Sequence, residues 1–141
     1  MELKVKLLSR TAKLPTKSHK GDLGYDLYCA QPVSIYPGET KLLQTDIAIE
    51  FPAGWGGIVK DRSSVATRRQ VFTVAGVIDN GYTGPIQIAL FNASEHVQAF
   101  APGDKVAQMV MMLTTNFPVI KVDEITSEDG RNENGFGSTG N

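Results

Sequence analysis

Thr45-Asp46-Ile47-Ala48-Ile49-Glu50-Phe51 places Ile47, Ile49 and Phe51 two residues apart with polar or small side chains between them. That is the period of a half-buried β-strand. Met109-Val110-Met111-Met112-Leu113 is continuously apolar, which predicts a strand buried on both faces. Its methionines read as core gap-fillers rather than as a cofactor contact. Working outward, short apolar or alternating runs predict strands at Leu3–Leu8, Val33–Tyr36, Lys41–Phe51, Gly57–Lys60, Ile86–Asn92, Val97–Phe100, Lys105–Leu113 and Val119–Glu124. Pro37-Gly38, Ala53-Gly54, Asp79-Asn80-Gly81 and Pro102-Gly103 fall between the runs, and such pairs favour turns. Only Ser63–Gln70 has helical composition, with Ser63 or Ser64 as its N-cap, since a hydroxyl there accepts an unpaired backbone N–H. Many short strands and one short helix predict an all-β sandwich, jelly roll or barrel.

The chain has 141 residues, the size of one domain, with 14 Lys+Arg against 15 Asp+Glu and a net charge of -1. A balance this close argues against a nucleic-acid binder, and 41% apolar residues argue against disorder. One cysteine, Cys29, excludes an internal disulfide framework and a multi-cysteine zinc site. No apolar run reaches membrane-spanning length. No signal-peptide stretch follows the basic start, so a cytoplasmic location is expected: the host cytosol for a phage chain, with the nucleus open to a eukaryotic or viral one. Residues 1–20 carry the bases Lys4, Lys6, Arg10, Lys13, Lys17 and Lys20, while 123–141 carry the acids Asp123, Glu124, Glu128, Asp129 and Glu133. The two ends either meet or are separately solvated.

From Thr126 the strand pattern stops, which divides the chain into a domain at 1–125 and an arm at 126–141. The arm reads TSEDGRNENGFGSTGN, with Phe136 as its only large apolar side chain. Such a segment cannot order itself alone. Yet Phe136 is bracketed by Gly135 and Gly137, with Arg131 before it and Ser138-Thr139 after it. Arginine, hydroxyls and backbone N–H groups bind phosphate, and an aromatic ring on an arm is a stacking surface for a base. Asp61-Arg62-Ser63-Ser64, where a strand meets the helix, is either an anion site or a capped helix with a surface arginine. In Gly76-Val77-Ile78-Asp79-Asn80-Gly81-Tyr82-Thr83-Gly84, three glycines let a flat ligand approach the backbone. The Asn-Gly pair signals a hairpin. Asp79 there either opens the turn or serves as a general base, and Tyr82 is either a strand aromatic or a cover for a sugar ring. Asp26, between Tyr25 and Leu27, reads as a turn acid, and Gln108, in an apolar strand, requires a polar partner. Cys29 reads as a small buried side chain, and His19 and His96 as surface residues.

Taken in order, Gly24-Tyr25-Asp26-Leu27, Asp61-Arg62-Ser63-Ser64, Gly76 to Gly84, Gly103-Asp104-Lys105-Val106-Ala107-Gln108 and Arg131 to Gly140 resemble the five motifs of the trimeric dUTP diphosphatase (dUTPase) family. The resemblance runs from about residue 3 to the end. It implies a distorted β jelly roll with one short helix and a flexible C-terminal arm, assembled as a homotrimer. Each shared active site would draw on three chains, hydrolysing dUTP to dUMP and diphosphate by water attack on the α-phosphorus. Such a reaction limits uracil incorporation into DNA and supplies dUMP for dTTP synthesis.

The same resemblance implies roles for individual residues. Asp79 corresponds to the base that deprotonates the attacking water. Tyr82 corresponds to the ring that stacks on deoxyribose and rejects a 2′-hydroxyl. The backbone from Thr73 to Gly76 and on to Ile78 corresponds to the strand that reads uracil. Arg62, Ser63, Ser64 and Gln108 correspond to the phosphate cradle. Arg131, Ser138 and Thr139 correspond to a γ-phosphate clamp, with Phe136 and Gly137 over the uracil. Magnesium (Mg2+) would be held mainly by phosphates and waters, with Asp26 acting on it through water. The chain departs from the pattern at Asp61, where many relatives have Pro or Gly, and at Asn132 and Asn134, where glycines are common. A related family, dCTP deaminase, typically carries a Glu in the strand after the hairpin. The matching residue here is Ala89, which argues against deamination.

Overall fold

The computed structural model describes residues 1–137. The elements are β1 (Lys4–Leu7), β2 (Gly24–Tyr28), β3 (Val33–Ile35), β4 (Thr40–Glu50), β5 (Trp55–Asp61), α1 (Ser63–Arg69), β6 (Val71–Val74), β7 (Val77–Ile78), β8 (Pro85–Asn92), β9 (Gln98–Phe100) and β10 (Lys105–Leu113). They form two four-stranded sheets, ordered β1-β4-β8-β6 and β2-β10-β5-β7, and a β3-β9 ribbon. All pairings are antiparallel. The architecture is an all-β jelly roll with one short helix.

Alternation builds the core. Leu43, Ile47 and Ile49 of β4 and Ile86, Ile88 and Leu90 of β8 are buried from the first sheet. Leu27, Val59, Ile78, Val106 and Met109 are buried from the second, and all belong to one apolar cluster. The register of β4 against β8 shifts between Gln44 and Ala48, where Asp46 takes a left-handed φ of 51°. The buried Thr45 hydroxyl donates to the Ile86 carbonyl across that irregularity (2.5 Å), so no polar group is stranded there.

Several segments differ from their sequence reading. Val119–Glu124 forms no strand; Val119 is 99% exposed, and without a partner the segment has no ladder to join. Gly24–Tyr28 is a strand rather than a turn, because β10 pairs with it in register. Met109–Leu113 is not buried on both faces: Met109 is buried while Met112 and Leu113 are exposed, since only one face of β10 meets the core. Neither Ser63 nor Ser64 caps the helix; Arg62 occupies the cap position in extended conformation with no side-chain cap bond. The helix is docked instead by the buried Val65 and by Arg69. The Arg69 guanidinium lies 4.0 Å over the Phe100 ring and donates to Gln98 and Ala99. Asn80-Gly81 does not close a two-stranded hairpin, because β7 and β8 lie in different sheets.

Cys29 is buried, and desolvation pushes its thiol above the ordinary value while the Sγ donates to the Gln31 carbonyl. Asn92, at the end of β8, is fully buried. Its Nδ2 donates to the carbonyls of Ile35 (2.8 Å) and His96 (2.7 Å), and its Oδ1 accepts from the Ser94 N–H and hydroxyl. Asn92→Ala leaves these buried partners unsatisfied, and a loss of at least about 2 kcal/mol in unfolding free energy is expected. An unchanged denaturation midpoint would refute that role.

Candidate active site

The chain leaves β6 in one sheet and enters β7 in the other within a few residues. That crossing needs two consecutive left-handed residues, Ala75 (φ 60°) and Gly76 (φ 110°). Gly76 is also pressed against β5: a Cβ there would lie 2.9 Å from the Val59 carbonyl, while Val59 N donates to the Gly76 carbonyl at 2.8 Å. On the next step of the ladder Ile78 pairs with Gly57, and a Cβ at Gly56 would lie 2.9 Å from the Ile78 carbonyl. Small residues on both strands therefore let β7 lie flat against β5.

Beside this crossing is a cleft of about 330 Å³, whose lining includes Val74, Gly76, Ile78, Asp79, Tyr82 and Ala89. The whole crossing segment, Val74 to Ile78, belongs to that lining. Asp79 follows β7 directly and is exposed. Tyr82 N donates to the Asp79 carbonyl (3.2 Å), closing a turn. Asn80 Nδ2 donates to the carbonyls of Pro52 (3.0 Å) and Trp55 (2.8 Å), which anchors that turn to β5. The Tyr82 hydroxyl donates to the Pro85 carbonyl (2.8 Å), and the ring passes over Gly84, where a Cβ would lie 2.6 Å from the phenol oxygen. The ring is thus fixed at one end and half-exposed at the cleft.

A second group of polar residues surrounds β2. Asp26 is paired through Oδ1 with Arg62 Nε at 3.2 Å and through Oδ2 with Lys105 Nζ at 3.3 Å. It is an ion-paired strand residue, not a turn acid. Gln108 faces Asp26 in register and finds its partner in the Asp61 carbonyl, to which Nε2 donates at 2.8 Å. Gly24 is required beneath it, since a Cβ would collide with the Gln108 amide. Ser63 and Ser64 are exposed at the start of α1, next to Arg62. Two cations, Arg62 and Lys105, thus converge on the one carboxylate of Asp26 in this group.

Gly76, Ile78, Asp79 and Tyr82 share the cleft, whereas Arg62, Ser63, Ser64, Gln108 and Asp26 do not line it. Thr73 does not line it either, and its N–H is given to the Asp61 carboxylate at 2.6 Å. In the arm, Arg131, Phe136 and Gly137 are exposed and touch neither group. Asp129 there accepts from the Arg131 N–H and the Ser127 hydroxyl, which holds its carboxyl below the ordinary value. Asn132 adopts a left-handed φ of 55°, a conformation Asn tolerates better than most residues. Ser138 and Thr139 lie outside the described residues.

Among the described residues no three His, Cys, Asp or Glu side chains gather as a metal cage. Both oxygens of Asp26 already face cations. The reading of the sequence missed Asn80 as an anchor and Asp61 as a backbone acceptor. The signal for Asp61 was its departure from the family pattern; Asn80 was hidden because Asn-Gly reads equally well as a plain turn.

Two packed sheets with an open cleft beside a sheet-crossing strand, and a charged cluster around Asp26 apart from it, define a jelly-roll protein with two polar surfaces available to a ligand. Residues 10–140 match the model of the dUTPase family. The deoxyuridine 5′-triphosphate nucleotidohydrolase of Eremothecium gossypii is 41% identical over 99% of this chain and 91% of that protein. The Saccharomyces cerevisiae enzyme of the same name is 37% identical over 99% of this chain and 95% of that protein. The Staphylococcus bacteriophage 80alpha dUTPase, solved with dUpNHpp, superposes with a TM-score of 0.88 at 31% identity, covering 99% of this chain and 98% of that one. A mutant dUTPase from phage phi11 of S. aureus, in which a structural Mg(II) ion is coordinated, gives a TM-score of 0.84 at 28% identity over 90% of this chain and 100% of that one. The chain belongs to the dUTPase family.

The crossing can be tested directly. Gly76→Ala places a side chain at φ 110° and against the Val59 carbonyl, a strain of about 1–3 kcal/mol. The denaturation midpoint is expected to fall accordingly. A variant as stable as the parent would show that the crossing tolerates a Cβ.

Proposed function

We propose that this chain is a dUTP diphosphatase that hydrolyses dUTP to dUMP and diphosphate by attack of water on the α-phosphorus. The observation that carries this reading is the cleft itself: backbone from Val74 to Ile78 on one wall, Asp79 at its end and a fixed Tyr82 ring beside it. Uracil lies in the cleft, where its edge is read by the crossing segment between Val74 and Ile78. Cytosine, with the reversed donor pattern, is mispaired there, and such mispairing discriminates strongly. Tyr82 packs on the deoxyribose and leaves no room for a 2′-hydroxyl. Ala89 in the lining supplies no acid for deamination.

Asp79 orients the water and takes its proton as the oxygen bonds to the α-phosphorus; the bond from that phosphorus to the bridging oxygen breaks, and diphosphate departs. Arg62, Ser63, Ser64 and Gln108 hold the phosphates. Mg2+ bound to the phosphates would lower the charge of the triphosphate, and Asp26 is the residue that would meet it through water.

We further propose that the working form is a homotrimer with shared sites. In one chain the Asp79 cleft and the Arg62 cluster are separate, so a complete site draws on more than one copy. The exposed Phe117, Val119, Ile120 and Ile125 follow β10 without a partner, and they suit a neighbouring copy. The arm, residues 126–141, then lends Arg131, Ser138 and Thr139 to phosphate and Phe136 and Gly137 to uracil.

Diphosphate release should be seen with dUTP and should be far slower with dCTP, dTTP and UTP; equal turnover of all four would sink the specificity reading. Asp79→Asn should lower kcat by about 10²–10⁴-fold while a non-hydrolysable dUTP analogue still binds; full activity would remove Asp79 as the base. Deleting residues 127–141 should leave a trimer, lighter only by the deleted residues, with little activity. If the truncated chain unfolds, the arm is structural instead.

A further inference from the structure

Asp61 ends β5, half-buried, directly before Arg62. Although cations surround it in sequence, its carboxylate makes no ion pair among the described residues. Its Oδ1 instead accepts the Thr73 N–H at 2.6 Å, short as charge-assisted bonds are. β6 is an edge strand whose one neighbour in its sheet is β8, so this carboxylate occupies a place on β6 that no other strand fills. Two residues earlier on β5, Val59 N donates to the Gly76 carbonyl. One strand thus grips the crossing at both ends, at Thr73 and at Gly76. Only Val74 and Ala75 lie between the grips, and both line the cleft. Ala75 is held there at a φ of 60°, a conformation costing a non-glycine residue about 1 kcal/mol or more. Such strain persists only where surrounding contacts over-determine the backbone.

We propose that Asp61 is a positioning residue for substrate specificity: its carboxylate holds the Thr73 N–H and thereby sets the backbone lip, Val74 to Gly76, against which the pyrimidine edge is read. The inference rests on the cleft being the uracil pocket. The same residue also accepts Gln108 Nε2 at its carbonyl, so the lip is tied at one point to the phosphate-binding cluster. A Pro or Gly at this position has no carboxylate to offer the Thr73 N–H.

The test compares the full-length parent with Asp61→Ala and Asp61→Asn, each first checked for its thermal midpoint and oligomeric state. Asp61→Ala should raise KM for dUTP about tenfold, corresponding to about 1.4 kcal/mol, with kcat within about twofold of the parent. It should narrow the kcat/KM preference for dUTP over dCTP by a similar factor. Asp61→Asn, which keeps an acceptor at the same place, should recover most of both. Amide hydrogen exchange at Thr73 should be slow in the parent and at least about tenfold faster in Asp61→Ala. Equal exchange at Thr73 in the parent and Asp61→Ala would overturn the anchor. Faster exchange with unchanged KM and preference would show that the anchor does not position the lip, and a fall in kcat alone would place Asp61 in the chemistry; either overturns the proposal. A parent chain that leaves dUTP intact would fail the functional reading, while the Thr73 exchange comparison would still decide the anchor.

Discussion

The close approach of β7 to β5 is the constraint on which the site depends. A strand that leaves one sheet and joins the other must bring its backbone within hydrogen-bonding distance of a strand it has not yet paired with. Here that contact is Val59 N to the Gly76 carbonyl, and it leaves no volume for a side chain at Gly76. The crossing segment, Val74 to Ile78, also belongs to the lining of the cleft. A hydrogen-bonded ladder and a recognition surface are competing uses of the same N–H and C=O groups. Here Val74 pairs with Ala89 of β8 and Gly76 with Val59 of β5, and Ala75 lies between them.

Charge is arranged with similar economy. The chain is nearly neutral, yet Arg62 and Lys105 converge on Asp26 at 3.2 and 3.3 Å. The acid keeps two cations in place without cancelling both, since a pair of positive side chains side by side would otherwise repel. The basic N-terminal segment contributes to the same strand by stacking: Lys13 lies over Tyr28 and Lys17 over Tyr25. The opposite charges at the two ends do not meet within one chain in any ion pair among the described residues; the pair joining the N-terminal strand to the body is Lys4–Glu50.

Strands with a strict two-residue period were legible. β4 and β8 follow from Ile47, Ile49, Ile86, Ile88 and Leu90, because one face of each must leave water. β2, β6 and β7 were not: Gly24 and Asp26 carry little strand propensity, and Val71–Val74 and Val77-Ile78, though rich in it, are too short to show a period without the neighbour that supplies the ladder. The converse error, a strand at Val119–Glu124, has the same cause: propensity without a partner. Among site residues, Asp79 and Tyr82 stood out beside the glycines they need. Asp61 and Asn80 did not, because their partners, Thr73, Pro52 and Trp55, are 12, 28 and 25 residues away in sequence.

The sequence by itself determined the all-β class, the single helix, the family motifs and the set of residues equipped to bind a nucleotide, because these rest on side-chain chemistry and on periods of a few residues. Only the tertiary structure decided which of those residues share a site. Asp79 and Tyr82 join the crossing backbone in one cleft, while Arg62 and Gln108 gather around Asp26 apart from it. That division follows from strand order: β7 pairs with one side of β5 and β10 with the other, a placement set by long-range pairing that no local stretch of sequence encodes.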